Sequence, residues 1–177
     1  MIEELSTSII PLLDRPFLVL GHSVGALIGF ELVRQLHKLG VGLPIHFIAS
    51  SFRAPQLPDR GPILHNLLEE ELVSELRRLG GTPEVVLRDK PLLAMFLPIL
   101  RADFSLAETY TYQPGVPLNC PISVFGGVAD QRVSSEELLA WKSQTIQKFS
   151  SHFLPGDHFY LFKEKNGRAP LTGGKKS

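Results

Sequence analysis

The sequence predicts an α/β fold: a parallel sheet flanked by helices, with a helical insertion between two of its strands. Three observations carry that prediction. An all-apolar run, Phe17 to Leu20, leads straight into a glycine-bracketed turn and a long amphipathic pattern, the order strand, turn, helix. Mostly apolar runs recur at Ile45–Ala49 and Pro121–Phe125, with a helical pattern separating the first strand from the second. From about Ser51 to Pro117 the alternation stops, and only helical and proline-rich stretches fill the gap.

Taken in order, residues 1–13 read as a helix with Ile2, Leu5, Ile9, Leu12 and Leu13 on one face, ended by Pro16. Residues 17–20 read as a strand buried on both faces. The next helix runs from Ser23 to about Leu39. Leu27, Ile28, Leu32, Leu36 and Leu39 face inward, and Glu31, Arg34, Gln35 and Lys38 form the wet stripe. Gly40 closes it.

Pro55, Pro58 and Pro62 make an irregular entry to the insertion. Glu69–Leu79 is a helix, acidic at its start and basic at its end, which suits its dipole. Asp89-Lys90-Pro91 caps and opens another, rich in leucine, in which Pro98 predicts a kink. An apolar helical insertion of this kind, about 52–117, fits a lid over a pocket. After the strand at 121–125, Ser134 and Glu137 form a capping box for a helix to about Gln144. Phe149–Leu154 is a last short strand, and the Gly- and Lys-rich tail from Gly167 on is expected to be disordered. One domain is therefore expected over 1–166, with a tail at 167–177.

Composition narrows the function. The 177 residues suffice for one core, and 18 basic against 18 acidic side chains give no net charge, so nothing points to nucleic acid. The longest apolar stretch, Leu92–Leu100, is too short to cross a bilayer, and no signal peptide opens the chain, so a cytoplasmic monomer is expected. The single cysteine, Cys120, excludes an internal disulfide and a cysteine metal cluster, and reads as a buried structural thiol.

The turn carries the chemistry. Gly21-His22-Ser23-Val24-Gly25 matches Gly-x-Ser-x-Gly, the nucleophile elbow, in which a strained turn lifts a serine oxygen above the sheet. Gly21 and Gly25 are expected to remove side chains that would crowd helix against strand. Ser23 then sits at a helix N-terminus, where the Val24 N–H is placed to receive a developing oxyanion. Such a serine needs a base and an orienting carboxylate, in chain order Ser, Asp, His, on loops at the C-terminal ends of strands. Asp130 lies just past the strand at 121–125, and His158 just past the last strand. His22 abuts the serine but points elsewhere on a tight turn. His37, His46, His65 and His152 fall within helices, strands or the insertion. Asp157 is too close in sequence to His158 to meet the geometry. The pattern is that of an α/β-hydrolase.

Several stretches together resemble the type II thioesterases of nonribosomal-peptide and polyketide synthesis, of the gramicidin-synthetase-associated kind, and the related medium-chain fatty acyl thioesterases. They are Leu20–Leu27, Arg53-Ala-Pro55, Leu79–Pro83, Leu97–Phe104, Phe125-Gly-Gly127 with Asp130, Trp141, and Pro155–Phe159, in family order over residues 1 to about 162. The resemblance implies Ser23 as nucleophile, Asp130 as orienting acid and His158 as base. It implies acyl or aminoacyl thioesters on the phosphopantetheine arm of acyl or peptidyl carrier proteins as substrates, no metal or other cofactor, and an editing or release role. Arg101 and Asp103 fall near the acyl region and are expected to form a helix-end ion pair. Two other readings stay open: a serine esterase or acyltransferase acting on free small esters, and an inactive remnant.

The resemblance also implies that the family's early strands, and the loop supplying a second oxyanion donor, lie before Met1, so the chain is expected to be N-terminally truncated. The strand at 17–20 would then have an open apolar edge, and the chain alone would be weakly folded and nearly inactive.

Overall fold

In the computed structural model, which describes residues 1–162, four strands form one parallel sheet in the order β1-β2-β3-β4. They are β1 Leu18–His22, β2 His46–Ser50, β3 Ile122–Gly127 and β4 Phe149–Leu154. One row of register partners runs His22↔Ser50↔Phe125↔His152, so all four C-terminal ends reach the same rim. The chain leaves each strand there. The residues a parallel sheet offers for chemistry therefore converge on this edge.

Helix α1, Ile2–Ile9, passes into a 3₁₀ turn at Ile10–Leu12 and lies against α2, Val24–Lys38. Alpha-helical structure thus stops short of the predicted residue 13, where Pro11 enters the tighter turn. Helix α2 buries Ala26, Leu27, Phe30 and Val33 on the sheet, in one core with Phe47, Ala49, Ile122 and Val124, and Leu36 is buried as well. Leu39, expected to face inward, is the C-cap and is exposed. Trp141 sits fully buried between Phe30 and Phe47, and its indole N–H donates to the carbonyl of Phe52 at 2.9 Å. Cys120 belongs to this core, and burial pushes its thiol up to about 11.

The expectation that β1 is buried on both faces is corrected. Leu18 and Leu20 are 55% and 58% exposed, while Val19 packs on the core. The strand is outermost in the sheet, and α2 covers only the face that Val19 shares.

The insertion holds α3 Glu69–Leu79, α4 Glu84–Arg88 and α5 Lys90–Glu108. These helices enclose a second core of Leu64, Leu72, Val73, Leu76, Leu87, Leu93 and Leu97, separate from the core on the sheet. The Asp89 carboxylate caps α5 by accepting from Leu92 N at 3.0 Å. Helix α5 continues as one element through Pro98, the position where a kink is expected from the sequence. The short α4 has no counterpart in the sequence reading, because five residues are too few to show a helical period. Beyond β3, the Ser134–Glu137 capping box forms in both directions, at 3.2 and 2.9 Å. It starts α6, Ser135–Leu139, which tightens into a 3₁₀ turn over Ala140–Gln144. The expected tail at 167–177 lies outside the described residues.

Candidate active site

Ser23 occupies the elbow between β1 and α2 with φ +52° and ψ −131°, a region that side-chain-bearing residues seldom adopt. Its N–H is tied to the carbonyl of Ser50 at the end of β2, at 2.8 Å, and its own carbonyl accepts from Ala26 N at 2.8 Å. The two glycines are not equivalent. A Cβ on Gly21 would overlap the carbonyl of Gly25, so β1 and α2 can meet only with glycine at 21. A Cβ on Gly25 would meet nothing within 4 Å, which corrects the expectation that both glycines relieve crowding.

The other two candidates arrive from the ends of β3 and β4. His158 Nε2 lies 3.0 Å from Ser23 Oγ, and His158 Nδ1 lies 3.0 Å from Asp130 Oδ2. A Cβ on Gly127 would overlap the carbonyls of Gly156 and Asp157, so glycine at the end of β3 lets the His158 loop press against the turn that carries Asp130. The Asp130 side chain is fully shielded from solvent, and its Oδ1 accepts from Arg132 N at 2.9 Å and Val133 N at 3.3 Å. Burial opposes its ionisation, but the hydrogen bond and charge of His158, the Arg132 N–H and the nearby Ser51 hydroxyl outweigh that and hold the carboxyl below its ordinary value. The structure therefore joins a hydroxyl, an imidazole and a carboxylate in one relay, as a serine nucleophile requires.

A cavity of about 560 Å³ opens over this relay. Ser23, Val24, Ser51 and His158 form its floor on the sheet side, and Leu64, Leu76, Leu79, Leu100 and Phe104 of the insertion form its apolar wall. Val24 is the first residue of α2, so its N–H has no carbonyl to meet within the helix. Arg132 rests its guanidinium over the Phe104 ring, 5.5 Å from the centroid. Arg53, which lines the cavity, ties the start of the insertion to its end: it pairs with Asp59 at 3.0 Å and donates to the Ala107 carbonyl at 3.1 Å.

Residues 1–169 match the family model of the thioesterase domain. The chain belongs to the thioesterase family. This thioesterase-family chain is 44% identical over 165 residues to the gramicidin S biosynthesis protein GrsT of Aneurinibacillus migulanus, an alignment covering 93% of this chain and 64% of that protein. It spans just under two thirds of that relative's length. Among solved structures it is similar to RedJ, the thioesterase from the prodiginine pathway of Streptomyces coelicolor, with a TM-score of 0.84 and 32% identity over 92% of this chain and 61% of RedJ. It is equally similar, at TM-score 0.84 and 34% identity, to ClbQ from the colibactin NRPS/PKS pathway, over 90% of this chain and 68% of ClbQ.

Other expectations for this thioesterase-family chain need amending. The Arg101–Asp103 ion pair does not form: Arg101 donates instead to the carbonyl of His65 at 2.7 Å, and Asp103 lines the cavity. His46 bonds to Ser123, and His65 to Glu108, both away from Ser23. The sequence reading did not single out Ser51, which is buried beside Asp130 with φ +48° and lines the cavity floor. It also passed over Ser50 and Tyr160. Their only sequence cue is place, since each lies at most two residues from the site's turns. Among the described residues, no helix is long and apolar enough to cross a membrane.

Proposed function

We propose that this chain is a thioesterase that hydrolyses acyl or aminoacyl groups from the phosphopantetheine arm of a carrier protein, acting as a cytoplasmic monomer. The observation that carries the reading is the Ser23–His158–Asp130 relay at 3.0 and 3.0 Å, set beneath an apolar-walled cavity in a thioesterase-family chain.

In this mechanism Ser23 Oγ attacks the thioester carbonyl carbon while His158 Nε2 takes its proton. Asp130 holds the ring at Nδ1 and stabilises the imidazolium. The tetrahedral oxyanion is received by the Val24 N–H at the start of α2. Collapse breaks the carbon–sulfur bond, and the departing thiolate takes the proton from His158. Water then gives its proton to His158 and attacks the acyl-serine. The second collapse frees the acid and returns the proton to Ser23. The insertion acts as the lid over the acyl chain, and its apolar wall supports that role.

The test compares acyl-loaded carrier protein with free small esters as substrates, alongside fluorophosphonate labelling. Labelling at Ser23, its loss in Ser23→Ala, and faster turnover of the carrier thioester are expected. Faster turnover of free esters would favour a general esterase, and an unlabelled chain would end the reading.

A further inference from the structure

Behind the relay lies a second line of hydrogen bonds. His22 Nδ1 is 2.9 Å from Ser50 Oγ, and Ser50 Oγ is 2.7 Å from the Tyr160 hydroxyl. The three residues come from the ends of β1 and β2 and from the loop after β4. Each has a neighbour in the relay or bound to it. His22 precedes Ser23 in the elbow, Ser50 accepts the Ser23 N–H through its carbonyl, and Tyr160 follows His158 by two residues. Ser50 and Tyr160 are buried. The His22 ring lies 5.4 Å from the His158 ring, centroid to centroid.

We propose that His22, Ser50 and Tyr160 are positioning residues: a hydrogen-bonded strut that fixes the His158 loop against the nucleophile elbow. The need for one is geometric. Ser23 and His158 stand 135 residues apart on separate loops, and their 3.0 Å contact is a single hydrogen bond that must be remade in every cycle. A strut that takes no part in proton transfer keeps the two loops at that spacing while the relay changes its charge.

The direction of the strut follows from its surroundings. His22 Nε2 is buried and has no hydrogen-bond partner among the described residues. The aromatic rings of Phe162 and Phe159 lie 5.4 and 6.2 Å from the His22 ring. An N–H is better placed against aromatic rings than a lone pair. We therefore assign the proton to Nε2, which leaves Nδ1 to accept from the Ser50 O–H, whose oxygen in turn accepts from the Tyr160 O–H. Burial, and then the nearness of His158, lower the His22 pKa to about 4 against an opposing pull from Asp130. The ring thus stays neutral near pH 7, able to accept from Ser50, and sets no fixed cation beside His158 when that ring takes up the serine proton.

The strut rests on the hydrolase reading for its purpose, so the test has one arm that needs activity and one that does not. In the first, Tyr160→Phe and Ser50→Ala are each expected to slow fluorophosphonate labelling of Ser23 about tenfold, with kcat reduced and KM unchanged on a turned-over substrate. Because both cut the same line, the double variant should be no slower than either single one. In the second, ¹⁵N resonances of the imidazoles should show wild-type His22 accepting at Nδ1 and mixed tautomers in both variants, with the His158 signals displaced. If Ser50→Ala does not fold, Tyr160→Phe, which keeps the ring, decides. Wild-type labelling rates, multiplicative losses in the double variant, or unchanged His22 and His158 resonances would overturn the strut. An unlabelled wild type would instead overturn the hydrolase reading and leave the resonances to judge the strut.

Discussion

The rim of the sheet and the helical insertion are built by opposite means. At the rim, short hydrogen bonds link residues distant in sequence: Ser23 to His158, His158 to Asp130, Ser50 to Tyr160. Two residues there hold left-handed backbone, and two glycines are required by contact with backbone atoms. The insertion instead closes on its own leucine-rich core, and its helices are finished by local devices, such as the Asp89 cap and Gly80 at φ +71°. Its polar ties to the rest lie apart from that core: Tyr110 donates to Glu31 at 2.6 Å, Arg34 to the Gln113 carbonyl at 2.7 Å and Gln56 to the Ala140 carbonyl at 2.9 Å. The difference teaches a division of labour. Precision is stored where the strands end, and shape is stored in the apolar wall above them.

The sharpest break of that comparison is at Ser23, the proposed nucleophile. Ser23→Ala should lower turnover by about 10⁶-fold while leaving thermal unfolding almost unchanged, checked by steady-state kinetics beside calorimetry. Asp130→Asn keeps the shape but not the acceptor for the His158 proton, and should cost about 10⁴-fold in kcat. If either loss were small, the rim would not be where the chemistry sits. Leu72, fully buried in the insertion core, gives the converse. Leu72→Ala should cost about 2–5 kcal/mol, read as faster hydrogen exchange over α3 to α5. Fluorophosphonate labelling of Ser23 should stay near the wild-type rate. Phe104→Ala, in the cavity wall, should raise KM for long acyl chains about tenfold and barely change it for short ones.

The smallest effect is a matter of pH. His22 is held neutral in the fold down to about pH 4, whereas in the unfolded chain it takes up a proton near 6.5. Asp130 is held ionised below the ordinary carboxyl range. In both cases the unfolded state binds more protons, so stability falls as pH falls: for His22 between 6.5 and about 4, for Asp130 below about 3.8. Denaturation midpoints measured from pH 7 to 4 should decline, and His22→Phe should flatten the upper part of that decline.

What the sequence made legible follows the same division. The elbow, the Asp89 cap and the Ser134–Glu137 box are each written within a few neighbouring residues, and reading them needs only local geometry. The loops carrying Asp130 and His158 were readable because a parallel sheet sends every strand to one rim. The strut was not, since nothing near Ser50 signals a partner 110 residues on. The exposure of Leu18 and Leu20 was hidden because an apolar run announces that a strand can be buried, not which of its faces is covered. That one helix contains Pro98 was readable too, because the apolar pattern runs on both sides of it.

The lone tryptophan has a practical consequence. Trp141 is sealed in the main core, yet its indole holds the carbonyl of Phe52, whose neighbours Ser51 and Arg53 line the cavity. The chain thus carries a single tryptophan, which can be excited apart from its three tyrosines, one residue's hydrogen bond away from any occupant of the cavity. A change in its emission as acyl compounds are titrated in would report occupancy directly, with no label attached.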